Sequence, residues 1–137
     1  MPIADLAPAL DAVRLSIHVL AATVWVGGQL VLAGLVPTLR TIGGDAPRKV
    51  AGAFGRISWP AFVVVVATGI WNVSAVSKGQ PSAWHAVLGA KIAVVGLSGV
   101  AAYLHGRSTG RAGLAAWGAT AGLTAMTAVV LGVLLAG

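Results

Sequence analysis

The segment "AGLAAWGATAGLTAMTAVVLGVLLAG" (residues 112–137) runs for 26 positions without a charge. A helix needs about 20 apolar residues to cross the hydrocarbon core of a bilayer. Lipid offers no partner for unpaired backbone groups, so an isolated strand is not an alternative. The rest of the chain agrees. Of its 137 residues 58 % are hydrophobic and 9 % charged, against about 25 % charged in an average soluble domain. So few charges cannot cover a water-facing surface, and the apolar surface must face lipid.

Three further spans lie upstream. Their expected limits, with the last, are about 15–37, 57–77, 82–104 and 112–136, and only the third contains a charge, Lys91. The connectors "TIGGDAPRK" (41–49), "SKGQPS" (77–82) and "HGRSTGR" (105–111) are short, polar and rich in turn residues. Short links favour sequential antiparallel helices. The expected fold is therefore an all-α integral membrane protein, a single domain over 1–137 forming a four-transmembrane-helix up-down bundle. Asp5 and Asp11 precede Arg14 with no basic lead-in, so the first span is expected to be a retained helix and not a cleaved signal.

Charge sets the expected orientation. Arg40, Arg48, Lys49, Arg56, Arg107 and Arg111 flank one side of the spans, and only Arg14 and Lys78 flank the other. The positive-inside rule makes the richer side cytoplasmic and puts both termini outside. The net charge of +6 is thus accounted for by topology, and no nucleic-acid partner is expected; the partner is the lipid bilayer. There are no cysteines, so disulfides and thiolate sites are excluded. No catalytic triad, phosphate loop or carboxylate pair can be assembled. Gly118 and Gly122 form a GxxxG pair, and Gly89, Gly96 and Gly99 line the third span; these suit close helix approach within the protein, in a homodimer or in a larger membrane complex.

Function is sought where the sequence accepts polar groups inside a span, because they are costly there. His18 reads either as an interfacial His bonded to a neighbouring helix or as an imidazole ligand to haem iron or copper. Trp25 follows two turns later on roughly the same face, ahead of Gly27 and Gly28. Lys91 lies about 12 Å into its span; its stem either snorkels to the headgroups or brings its ammonium to a bound anionic group. No acidic residue lies within the expected spans, so a counter-charge would come from elsewhere. Thr120, Thr124 and Thr127 share a face with Trp117, with Thr127 expected near the level of Lys91, and suit either interhelical bonding or a site. His85, beside Trp84, is an aromatic-belt residue or a ligand partner for His18. His105 is expected to be solvated. Arg56 is a topology determinant or a clamp for an acidic ligand. Met1 and Met126 add only two thioether donors.

"HVLAATVWVGG" (18–28), "RISWPAFVVVVATGIW" (56–71) and "AKIAVVGLSGVAAYLHGR" (90–107), in this order, resemble the first three helices of the CopD-type copper-resistance membrane domain and of the related HemJ-type protoporphyrinogen oxidases. In these groups a His is followed seven residues later by Trp and then small residues, and the third helix carries a Lys. The HemJ-type resemblance implies a b-type haem in the outer half of the bundle, in an oxidoreductase of the protoporphyrinogen oxidase type. His18 would be an axial ligand and Lys91 a partner for a propionate or substrate carboxylate, with Trp25, Arg56 and Thr127 about the cofactor. The CopD-type resemblance implies copper transport or resistance, with His18 and His85 as metal ligands. Both imply a bacterial-type inner (plasma) membrane. A third reading is a non-catalytic subunit or scaffold of a larger membrane complex.

Overall fold

The structure is a computed structural model that describes residues 8–137; Met1 and Asp5 lie outside them. Helix α1 (Ala9–Ala22) passes through a π-helical turn (Thr23–Gly27) into α2 (Gly28–Ile42), and α3 (Ala46–Val76), α4 (Ser82–Arg107) and α5 (Arg111–Ala136) follow. The first three of these elements make one continuous rod, so four helices are long and apolar enough to cross a membrane. The chain is a four-span integral membrane protein.

The helices outrun the apolar windows that announce them. The second span begins at Ala46, about three turns before its expected start near Ile57, so Arg56 lies inside the helix and not at its opening. The first begins at Ala9 and ends at Ile42, and it therefore contains Asp11, contrary to the expectation of acid-free spans. The reason is dimensional. The 31 residues of α3 span about 46 Å, roughly a whole bilayer with its headgroup layers. Charged residues near the ends, such as Arg48, Lys49 and Arg56, remain helical and exposed.

Turn chemistry ends each rod. Gly43 and Gly44 adopt φ of 82° and 57°, in the left-handed region where a Cβ is costly. Pro47 stands in the first turn of α3, where a missing N–H costs nothing. Pro81 precedes α4, and its carbonyl accepts from Trp84 N–H at 3.0 Å.

The chain divides into two compact units, Met1–Lys78 and Gly79–Gly137. Within the first, α1, the π-turn and α2 all pack on α3. Within the second, α4 and α5 form an antiparallel hairpin whose buried seam is built from small residues: Ser98, Gly99 and Ala101 against Ala121, Ala125 and Ala128. Without bulky side chains the two backbones approach closely, and Ser98 Oγ donates to the Ala121 carbonyl at 3.0 Å across the seam. The Gly118/Gly122 pair contributes only in part. Gly118 lies beneath His105, whereas a Cβ on Gly122 would meet nothing within 4 Å. Large apolar side chains point outward, among them Val133 and Leu134, as lipid requires.

Candidate functional site

In the first unit, His18 on α1 meets Thr68 on α3. His18 Nδ1 lies 2.7 Å from Thr68 Oγ1, and Thr68 Oγ1 donates its own proton to the Val64 carbonyl at 2.6 Å. A hydroxyl has one proton to give. With that proton on the carbonyl, Thr68 accepts from His18 Nδ1–H, and the lone pair of the neutral ring falls on Nε2. Such a second contact fixes both tautomer and ring orientation in a ligating histidine. Gly69 gives the ring room: a Cβ there would stand 3.5 Å from His18 Cε1.

One turn toward the Ala9 end of the same face lies Arg14, at 5 % exposure. Its Nη2 is 3.0 Å from Asp11 Oδ1. Among the described residues its Nε is buried without a hydrogen-bond partner, and so is Oδ1 of Asn72, one turn beyond Thr68 on α3. Each such orphan costs about 1–3 kcal/mol.

On the other side of His18, two turns along, Trp25 is buried in an aromatic cluster. Its ring centroid lies 4.4 Å from that of Phe62 and 5.3 Å from that of Trp59. Trp25 belongs to the π-turn, and its carbonyl accepts from Gln29 Nε2 at 2.9 Å. Single π-turns inside α-helices recur at functional sites. Just beyond, Gly28 packs directly under Phe54, whose ring occupies the space of any added Cβ. Arg56 is exposed on α3.

In the second unit, Lys91 is half-buried and makes no hydrogen bond or ion pair among the described residues. The Ser98–Ala121 contact sets an antiparallel register that puts the Lys91 backbone near Ala128, the level expected of Thr127. The stem then leans a turn toward the start of α4, as helical side chains do, and its Nζ comes within 3.0 Å of where a Gly132 Cβ would stand. Thr127 is exposed, and its hydroxyl donates to the Leu123 carbonyl at 2.8 Å. Thr120 and Thr124 likewise bond carbonyls of their own helix, so the side-chain bonds between α4 and α5 come instead from Ser98, Trp84 and His105. His85 is exposed, edge-on to Trp84 at 5.2 Å, and Trp84 Nε1–H donates to the Leu135 carbonyl at 3.2 Å. His105 Nδ1 is 2.8 Å from the Leu114 carbonyl; it ties the hairpin together and is not simply solvated.

Among the described residues no three His, Cys, Asp or Glu side chains gather as a metal site. His18 belongs to the first unit and His85 to the second. No protein-family model matches the chain, and no curated protein or solved structure matches it.

The two crowded glycines separate by what crowds them. Gly28→Ala drives a methyl into the Phe54 ring and is expected to destabilise the first unit by about 1–3 kcal/mol. Gly132→Ala meets only the far end of the Lys91 chain, which swings aside, and is expected to change stability by less than about 0.5 kcal/mol. Thermal unfolding of the two detergent-solubilised variants checks the contrast.

Proposed function

We propose that this protein is a membrane-embedded haem-binding protein with a redox role, in which His18 supplies an axial ligand to a b-type haem. The observation that carries the reading is the Thr68 contact, which puts the Nδ1 proton of His18 in a hydrogen bond and the lone pair on Nε2. That is the tautomer and the second-shell support expected of a ligating imidazole. When bound, haem supplies one-electron redox chemistry. The chain's own part is to orient the ring, through Thr68, and to keep it among apolar helices. Lys91, in the second unit, offers a cation suited to a carboxylate. The resemblance to HemJ-type oxidases points the same way, and the Lys/Arg distribution supports an orientation with both termini outside.

Copper handling draws on several imidazole or thioether donors. The described residues hold no group of three or more His, Cys, Asp or Glu side chains, and the observation at His18 favours haem over copper.

The optical spectrum of the purified protein is the test. A Soret band, present on isolation or after loading with haem b, is expected. Protein that stays colourless after loading, at concentrations where it is folded and monodisperse, overturns the reading.

A further inference from the structure

The polar layer next to His18 is not used by the axial ligand. Arg14 precedes His18 by one turn on α1, and Asn72 follows Thr68 by one turn on α3. The His18–Thr68 contact between antiparallel helices therefore sets Arg14 and Asn72 at one level. A guanidinium grips a carboxylate best with two parallel N–H donors to its two oxygens, and Nε and Nη2 form one such edge. In Arg14 only half of that edge is filled: Asp11 Oδ1 takes Nη2 at 3.0 Å, while Nε is buried with no hydrogen-bond partner. Asp11 sits three residues away on the same helix, and its side chain is 40 % exposed against 6 % for that of Arg14. It has a way out to the headgroups; the arginine does not.

We propose that the Arg14 edge is a binding site for the carboxylate of a membrane-borne amphiphile, and that Asp11 is a resident carboxylate which the ligand displaces. The arriving group fills both Nε–H and Nη2–H, and the Asn72 amide, once turned, offers it an Nδ2–H. The position suits an amphiphile: Arg14 is about 8 Å along the axis from the start of α1, near one end of the span. Around it Leu10, Val13, Leu15 and Ile17 are exposed, an apolar rim suited to an acyl chain. The carboxylate is a propionate of haem, in which case the site rests on the haem reading above, or the headgroup of a free fatty acid.

The test titrates the whole protein in detergent with haem b, haem b dimethyl ester, oleate and oleyl alcohol, for wild type, Arg14→Lys and Asp11→Asn. Arg14→Lys keeps the charge and loses the edge. It is expected to weaken binding of the carboxylate ligand by about tenfold or more, and Asp11→Asn to tighten it by about as much. Neither substitution should alter binding of the ester or the alcohol. A response to haem but not to its ester identifies the propionate. If no porphyrin binds, the haem reading fails alone, and the same pattern with oleate upholds the site for a fatty acid. Asp11→Asn retains Arg14 and decides the matter should Arg14→Lys fail to fold. Binding of haem and oleate that is indifferent to both substitutions overturns the site and leaves the haem reading intact.

Discussion

Replacing His18 with alanine is expected to abolish the Soret band of haem-loaded protein, and replacing Thr68 with valine to weaken haem binding by roughly ten- to a hundredfold. The first removes the donor atom. The second keeps the shape of Thr68, which is 7 % exposed, but removes the oxygen that holds Nδ1 at 2.7 Å. Without it the ring can adopt either tautomer and turn about its bonds, so only a fraction of molecules present Nε2 correctly. Absorbance titration with haem b measures both. A Soret band in His18→Ala as strong as in wild type would exclude His18 as the ligand, and an unchanged affinity in Thr68→Val would exclude the tautomer argument.

The second large effect is expected in the α4–α5 hairpin. Ala121 is 3 % exposed and faces a seam that includes Ala101 at 0 %. Ala121→Leu adds three carbons where two backbones nearly touch, forcing the helices apart and breaking the Ser98 Oγ–Ala121 O bond. A cost of about 3 kcal/mol is expected from overpacking, with about 1 kcal/mol more from the lost hydrogen bond. Gly122→Leu, one residue on, is the control. A Cβ there meets nothing within 4 Å, and the substitution should shift stability by no more than about 0.5 kcal/mol. Thermal unfolding in detergent distinguishes them; equal effects would place the seam elsewhere.

The four spans were legible because uncharged length is a signal that needs no partner. Their ends were not. Asp11, Arg14, Arg48, Lys49 and Arg56 read as boundaries, yet the rods continue through them. Facing residues were harder still, since helices apolar on all sides give no stripe from which to infer what touches what. His18 stood out by its cost in lipid. Thr68, fifty residues away, looked like one more small residue in a run of valines and alanines, and only the register of α1 against α3 reveals its part. Arg14 was visible four residues before His18 but was read as a topology charge. Asn72 was the overlooked signal: an amide among apolar residues, spaced one turn from Thr68. The threonines of the last span show the opposite case, a tempting face whose hydroxyls are spent on their own helix.

The π-turn at Thr23–Gly27 makes the first span sensitive to length in a way that its apolar composition hides. The turn accommodates a residue beyond the α-helical repeat. Deleting one position within the turn would restore a plain α-helix and leave its flanks in nearly the same relative rotation, whereas deleting one between His18 and the turn would rotate everything on the Ala9 side by about 100° relative to α2. His18 and Arg14 would swing off the α3 surface together, while every apolar side chain kept a lipid-compatible place. Loss of a single codon within the turn should leave the site in register, whereas the same loss between His18 and the turn should silence it in a protein that still inserts.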